Sequence, residues 1–383
     1  MTGRRILCIS FSPLQRDARV RRQIAVLREF GDVTTLGYGP APEESSDHLE
    51  VPHSAVSLPQ TAAGIAKLAL RRHKAVELTS PGERAGIDLL AGTGKWDLVV
   101  ANDARALPLA FATAKGAPVW ADLHEWAPQE NSSSLAWRIL VAPYMDALCR
   151  RYLVQAAAVS TVGAAIADLY TDRYGIFARV VRNALPDQRL TPSEVDPQRI
   201  RLVHSGVAAR ERNIEALIDA AHACADRFEL DLFLVGDEGG YLTALRERAA
   251  RTRNVRVLDP VPAADLPTVL NAYDLGVYVL PLRSLNHRLM LPNKFFDFVQ
   301  ARLGLVFGSS EELDRLIADH GLGRIVPRAT ADDLASVLKQ LTAEEITRFK
   351  HNAHRAAAAL SNDSDIASQR ALVTSALGKL PRA

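Results

Sequence analysis

Two trains of short apolar runs, each run followed by a stretch of helical periodicity, fill almost the whole sequence. The first train has runs at 6–11, 33–36, 97–101, 118–121, 157–161 and 178–181. The second has runs at 201–204, 230–235, 255–258, 275–280, 305–307 and 324–326. Between them, residues such as Val20, Ile24 and Leu27, or Ile214, Leu217, Ile218 and Ala221, recur at the spacing of one helix face. Strands that alternate with helices build parallel βαβ units, so each train predicts an open parallel sheet covered by helices on both faces. Three prolines between Asn183 and Pro197 mark the seam. The expected organisation is an α/β chain with a first Rossmann-like domain over 1–186, a linker over 187–198, a second Rossmann-like domain over 199–345, and a helical tail over 346–383. In open parallel sheets ligands bind beyond the carboxyl ends of the strands, so functional residues are expected on the loops that follow strands.

Composition narrows the function classes. Forty-six Lys and Arg against 44 Asp and Glu leave a formal net charge of +2, which gives no global reason to bind nucleic acid. Cys8, Cys149 and Cys224 are far apart and form no CxxC, so neither a disulfide framework nor a thiolate zinc site is indicated. No apolar run approaches the roughly 18 residues of a membrane span, and the first one is too short for a secretion signal. These features predict a cytoplasmic protein. Several motifs fail on inspection. Gly94-Lys95 lacks the earlier glycine and the following Ser or Thr of a P-loop, and His124-Glu125 meets Pro128 where HExxH needs histidine. Asp363-Ser-Asp365 matches a metal-binding DxD but reads better as a helix cap. No GxGxxG follows the first run.

Eight short motifs, none specific alone, occur in a telling order. Asp17-Ala-Arg19-Val20 opens the first helix, followed by Asp122-Leu-His124-Glu125, Ser160-Thr-Val-Gly163 and Val181-Arg-Asn183-Ala. Then come His204-Ser-Gly206 with Glu211-Arg212-Asn213, Leu234-Val-Gly236-Asp237 and Ala272-Tyr-Asp274-Leu-Gly276, and finally Leu291-Pro-Asn-Lys294-Phe-Phe-Asp297. The chain resembles the family-4-type glycosyltransferases of the GT-B fold. That resemblance implies two Rossmann-like domains facing across a cleft, with the tail crossing back to the first. It also implies transfer of a sugar from a nucleotide sugar, with retention, without a metal ion and without a cofactor other than the UDP- or GDP-sugar substrate.

The resemblance also implies roles for single residues. Arg212 and Lys294, with Gly206 and Arg210, would hold the donor diphosphate, because cations and helix N-termini suit anions. Asp297 would accept the two ribose hydroxyls. His124 and Glu125 would serve the reaction centre, while Asn286, His287 and Asn293 would line the donor sugar. Ser12 and Arg19 would face the acceptor. Two positions depart from the family pattern. Val207 replaces an expected arginine, and Leu289 replaces a glutamate that usually contacts the donor sugar; this puts the sugar and the retaining outcome in question.

Acceptors of such bacterial enzymes are often lipid-linked glycans, as in polysaccharide biosynthesis, and small molecules serve others. Arg16, Arg19, Arg21, Arg22 and Arg28 crowd the first helix, and Arg71-Arg-His-Lys74 follows Ile65, Leu68 and Leu70. Cations beside apolar residues suggest peripheral contact with the inner face of an anionic membrane. Two competing readings use the same fold: a nucleotide-sugar 2-epimerase, and a binding or scaffolding subunit without catalysis.

Overall fold

The structure is a computed structural model that describes residues 3–262 and 265–378. The chain divides into two compact units, one formed by Met1–Arg182 with Asp365–Ala383, the other by Asn183–Ser364.

Unit 1 contains seven strands: β1 (Arg5–Pro13), β2 (Asp32–Tyr38), β3 (Asp47–Val51), β4 (Leu98–Asn102), β5 (Val119–Leu123), β6 (Ala158–Thr161) and β7 (Arg179–Val180). They lie in the order β3-β2-β1-β4-β5-β6-β7, and every pairing is parallel. Ile6, Leu7, Cys8 and Ile9 are all fully buried, as expected of a strand covered on both faces. β3 has no counterpart among the expected runs. Its sequence Asp-His-Leu-Glu-Val is charged and half exposed because it is the sheet edge, where charge discourages further strand pairing.

Unit 2 contains β8 (Ile200–Val207), β9 (Phe228–Val235), β10 (Val255–Leu258), β11 (Leu275–Tyr278), β12 (Gly304–Gly308) and β13 (Gly323–Val326), in the order β10-β9-β8-β11-β12-β13. The helix Asn293–Gln300 packs tightly on this sheet. A Cβ on Gly276 of β11 would stand 2.2 Å from the Phe298 ring, so only glycine admits the helix at this height. Phe295, Phe296 and Phe298 are fully buried, each contributing about 1.5–3 kcal/mol of apolar transfer.

Both ends of the seam lie differently from the sequence expectation. The stretch expected as a linker is strapped along unit 2, because buried Arg302 donates to the Asp187 carboxylate at 2.8 Å and to the Leu190 carbonyl at 3.0 Å. The helix Ala343–Ala356 also stays with unit 2, where Lys350 binds Asp274 at 3.2 Å and the Tyr273 carbonyl at 2.6 Å. Only the helix Asp363–Gly378 joins unit 1, packing Leu372, Val373, Ala376 and Leu377 onto Ile6, Val20, Ile24 and Leu98. Residues 379–383 of the expected tail lie outside the described residues. The DxD aspartate Asp365 accepts from the backbone N–H and Nε of Arg182, which fastens this return.

Candidate functional site

In each unit the chain order reverses between two central strands, β1 and β4 in one and β8 and β11 in the other. Such reversals leave a crevice beyond the strand ends. The candidate residues gather at these two places.

In unit 1 the strand register aligns Ser10 of β1, Asn102 of β4, Asp122 of β5 and Ser160 of β6 in one row. Burial forces these polar groups to satisfy one another. Asp122 accepts from Arg19 Nη2 and Nε at 2.6 and 2.9 Å, from Ser160 Oγ at 2.6 Å and from Gln23 Nε2 at 3.1 Å. Burial would raise the Asp122 carboxyl, but Arg19 and His124 outweigh it and hold the group well below its ordinary range. Arg19 also donates to the Val181 carbonyl at 2.6 Å. Its expected acceptor role gives way to a structural one, since its guanidinium is buried and bound within the unit. Ser12 likewise donates to Asp17, the cap of the first helix, at 2.7 Å.

His124 follows β5 directly. Its Nε2 lies 3.1 Å from Asn102 Oδ1 and 3.5 Å from Asp122, and its Nδ1 lies 3.4 Å from Asp103. Beside it, burial pushes Glu125 up to about 8, reinforced by Glu130 and Asp103. Glu130 pairs with Arg105 at 2.5 Å. The sequence reading missed Asn102, Asp103 and Asp122 as partners of His124. Asn102 and Asp103 end a strand, as His124 does, and the same strand-end rule applies to them.

In unit 2, Lys294 sits on the first turn of the helix that follows Pro292, Asp297 one turn further along it, and their side chains pair at 2.7 Å. Both are largely buried, at 20% and 10% side-chain exposure. A Cβ on Gly206, at the end of β8, would lie 3.8 Å from Lys294 Cε and 3.6 Å from His204 Nε2. His204 is buried, and its Nδ1 stands 2.9 Å from the Val277 carbonyl. A carbonyl only accepts, so Nδ1 carries the hydrogen and Nε2 keeps its lone pair. Burial, aided by the positive charges of Lys294 and Arg212, pulls His204 down to about 4 and keeps it neutral. Next to it, the buried Ser205 hydroxyl has no protein partner.

Arg212 lies in the turn Arg210–Arg212 after β8 and donates to the Tyr278 hydroxyl at 2.9 Å. Burial and the nearby Arg212 lower the basicity of His287. Thus Gly206, Arg212 and Lys294 share one neighbourhood. Arg210 instead lies 5.1 Å over the Tyr241 ring, a cation–π contact. Asn293 accepts from Asn183 at 2.6 Å. Asn286 is buried in the short helix Leu285–Leu289, and so is Leu289, which occupies the place of the family's glutamate. Val207 is 52% exposed.

Beyond β11, β12 and β13 lies a cavity of about 340 Å³ lined by Leu280, Pro281, Ser309 and Arg328 among others. Among the described residues no group of three or more His, Cys, Asp or Glu side chains is placed to hold a metal ion, and no helix is long and apolar enough to cross a membrane.

Residues 199–344 match the family of glycosyl transferases group 1. No curated protein is similar enough in sequence to match. Among solved structures, a glycosyltransferase from Rickettsia africae ESF-5 superposes with a TM-score of 0.68 at 11% identity, covering 99% of this chain and 100% of that one. Anabaena Alr3699/HepE, solved with UDP and glucose, gives 0.66 at 16% identity over 98% and 99%. An Escherichia coli trehalose-6-phosphate protein bound with UDP-2-fluoro glucose gives 0.65 at 12% over 99% and 100%. Two parallel-sheet units and these whole-chain superpositions agree on the GT-B fold, and residues 199–344 are similar to the glycosyl transferases group 1.

Proposed function

We propose that this chain transfers a sugar from a UDP- or GDP-sugar to a glycan, lipid-linked or small-molecule acceptor, with retention and without a metal ion. The observation that carries the reading is the Lys294 ammonium, largely buried beside Gly206 at the β8/β11 reversal and paired with a carboxylate one helical turn away. Loss of a nucleoside diphosphate builds negative charge on its phosphates. Preorganised cations and backbone N–H groups stabilise that charge most where water is scarce. Lys294 and Arg212 supply the cations, and the first turn of Asn293–Gln300 supplies N–H groups. Asp297 then accepts the ribose hydroxyls while Lys294 turns to phosphate. His124 serves as hydrogen-bond partner of the donor sugar, with Glu125 beside it as a proton-exchanging carboxyl. Complexes of Alr3699/HepE with UDP and glucose support the choice of a uridine donor.

The test is nucleotide release from a panel of UDP-, GDP- and dTDP-sugars, with and without glycan acceptors. Diphosphate release or a glycan product is expected. Isomerised sugar without release would replace the reading with an epimerase, and binding without turnover would replace it with a scaffold. His124→Ala and Asp297→Ala should impair turnover while the circular dichroism stays that of wild type.

Membrane contact falls to one of the two basic clusters. On the first helix Arg21 pairs with Glu44 at 2.7 Å and Arg28 with Asp32 at 3.0 Å, while Arg19 is buried. Exposed Leu70, followed by Arg71, Arg72 and Lys74, keeps the combination of apolar and basic groups that anionic bilayers attract. We assign inner-face peripheral binding in the cytoplasm to this segment. Failure to co-sediment with anionic vesicles at low salt overturns that assignment.

A further inference from the structure

Asp103, directly after β4, has φ 66° and ψ 160°. This backbone region is essentially reserved for glycine, and other residues persist there only where the surroundings impose it. A residue preceding a helical turn commonly caps it, yet the Asp103 side chain makes no capping hydrogen bond. It is engaged elsewhere. Its Oδ1 accepts the backbone N–H of His124 at 3.0 Å, and its Oδ2 lies 3.4 Å from the imidazole Nδ1. Its own N–H donates to the Asp122 carbonyl at 2.8 Å, which locks the β4 and β5 ends together. The strained conformation therefore aims the carboxylate at the residue that follows β5.

We propose that Asp103 is a positioning residue for His124, its carboxylate and that of Asp122 bracketing the imidazole and fixing its orientation. The groups facing the ring are Asn102 and Asp103 from the end of β4, Asp122 from β5 and Arg19 from the first helix. Glu125 and Glu130 act from its own segment, with Glu130 tied to Arg105. Burial alone would lower the basicity of His124. Asp103 and Asp122 overcome both burial and the Arg19 charge, so the net direction is upward. A bracketed imidazolium stabilises nearby negative charge through its own charge, and with both ring nitrogens protonated it is a poor general base.

Only the activity arm of the test rests on the proposed function. The first arm needs no substrate: the imidazole resonances of His124, assigned by their loss in His124→Ala, are titrated in wild type, Asp103→Asn and Asp103→Gly. Wild type should titrate above the ordinary histidine range, and both variants should titrate lower. Asn keeps the shape without the charge, and Gly adopts the backbone without strain, so Asp103→Gly should melt no lower than wild type although it loses the His124 contacts. An unmoved His124 midpoint in both variants overturns the proposal. In the second arm, UDP release from UDP-glucose and GDP release from GDP-mannose are measured for Asp103→Asn alone and within His124→Ala. A fall in the first background with no further fall in the second is expected. Equal falls in both overturn the positioning role. Wild type that releases neither nucleotide sinks the proposed function, and the titration then decides Asp103 by itself.

Discussion

The two strand reversals share one topology and carry opposite charge. Around His124 in unit 1 stand Asp103, Asp122, Glu125 and Glu130, with Arg19 and Arg105 already paired to carboxylates. Around Gly206 in unit 2 stand Lys294, Arg212 and a neutral His204, with Asp297 the carboxylate paired to Lys294. A parallel sheet fixes where a ligand sits and says nothing about its charge. Side chains at the strand ends decide that. A carboxylate-rich pocket suits hydroxyl and proton work, and a cation-rich one suits a diphosphate.

Breaking the buried ion pair of each unit gives the largest contrast. Arg19–Asp122 is the more deeply buried, at 7% and 2% side-chain exposure, and the Asp122 carboxylate has three further partners, Gln23, Ser160 and His124. Arg19→Met leaves that charge buried and uncompensated, an expected loss of about 3–5 kcal/mol, read as a fall in the urea midpoint. Lys294→Met removes a less buried partner. Its expected signature is a smaller stability change with donor affinity weakened about tenfold to a hundredfold, the range of a charge-assisted hydrogen bond of roughly 1.5–3 kcal/mol. Calorimetric titration of UDP checks it. If Lys294→Met unfolds the protein and Arg19→Met only weakens UDP, the two pairs have been assigned the wrong way round.

Gly206→Ala isolates shape from charge. Its added methyl would meet His204 and Lys294 at ordinary contact distance, with no positive φ to penalise it. The fold should therefore tolerate alanine, with a melting temperature near wild type. The methyl would occupy space that a phosphate needs, so UDP affinity should fall. Unchanged affinity removes Gly206 from the diphosphate site.

Much of this was legible in the sequence because apolar runs record burial. Twelve of the strands were anticipated, and the missed one, β3, is a charged edge whose pairing leaves little apolar trace. The pairing of Lys294 with Asp297 was legible since Pro292 announces a helix start and their spacing sets them one turn apart on one face. Arg19 was misread because its partner stands 103 residues away, and nothing local tells a buried arginine from a surface one. Asp103 escaped for a related reason: a backbone conformation has no sequence signature when the residue is not glycine. The seam's prolines suggested a free linker, whereas Arg302, more than a hundred residues later, holds that segment down.

The smallest expected effect tests the acidic side of the comparison through pH. Glu125 titrates near 8 in the fold, and in the unfolded chain it returns to the ordinary carboxylate range. Between those values the folded protein holds a proton that the unfolded chain has released. Stability then falls as pH rises, since the native state binds more protons there. Asp122 works the other way: its carboxyl is depressed, so its contribution is intact above the ordinary carboxylate range and is lost only as pH drops through and below it. The melting temperature should therefore decline from about pH 5 to pH 8 on account of Glu125, and Glu125→Gln should flatten that decline without altering the acid side. A decline that persists unchanged in Glu125→Gln would mean that the carboxyl stays ionised in the fold, and that the cluster around His124 is screened by water rather than sealed from it.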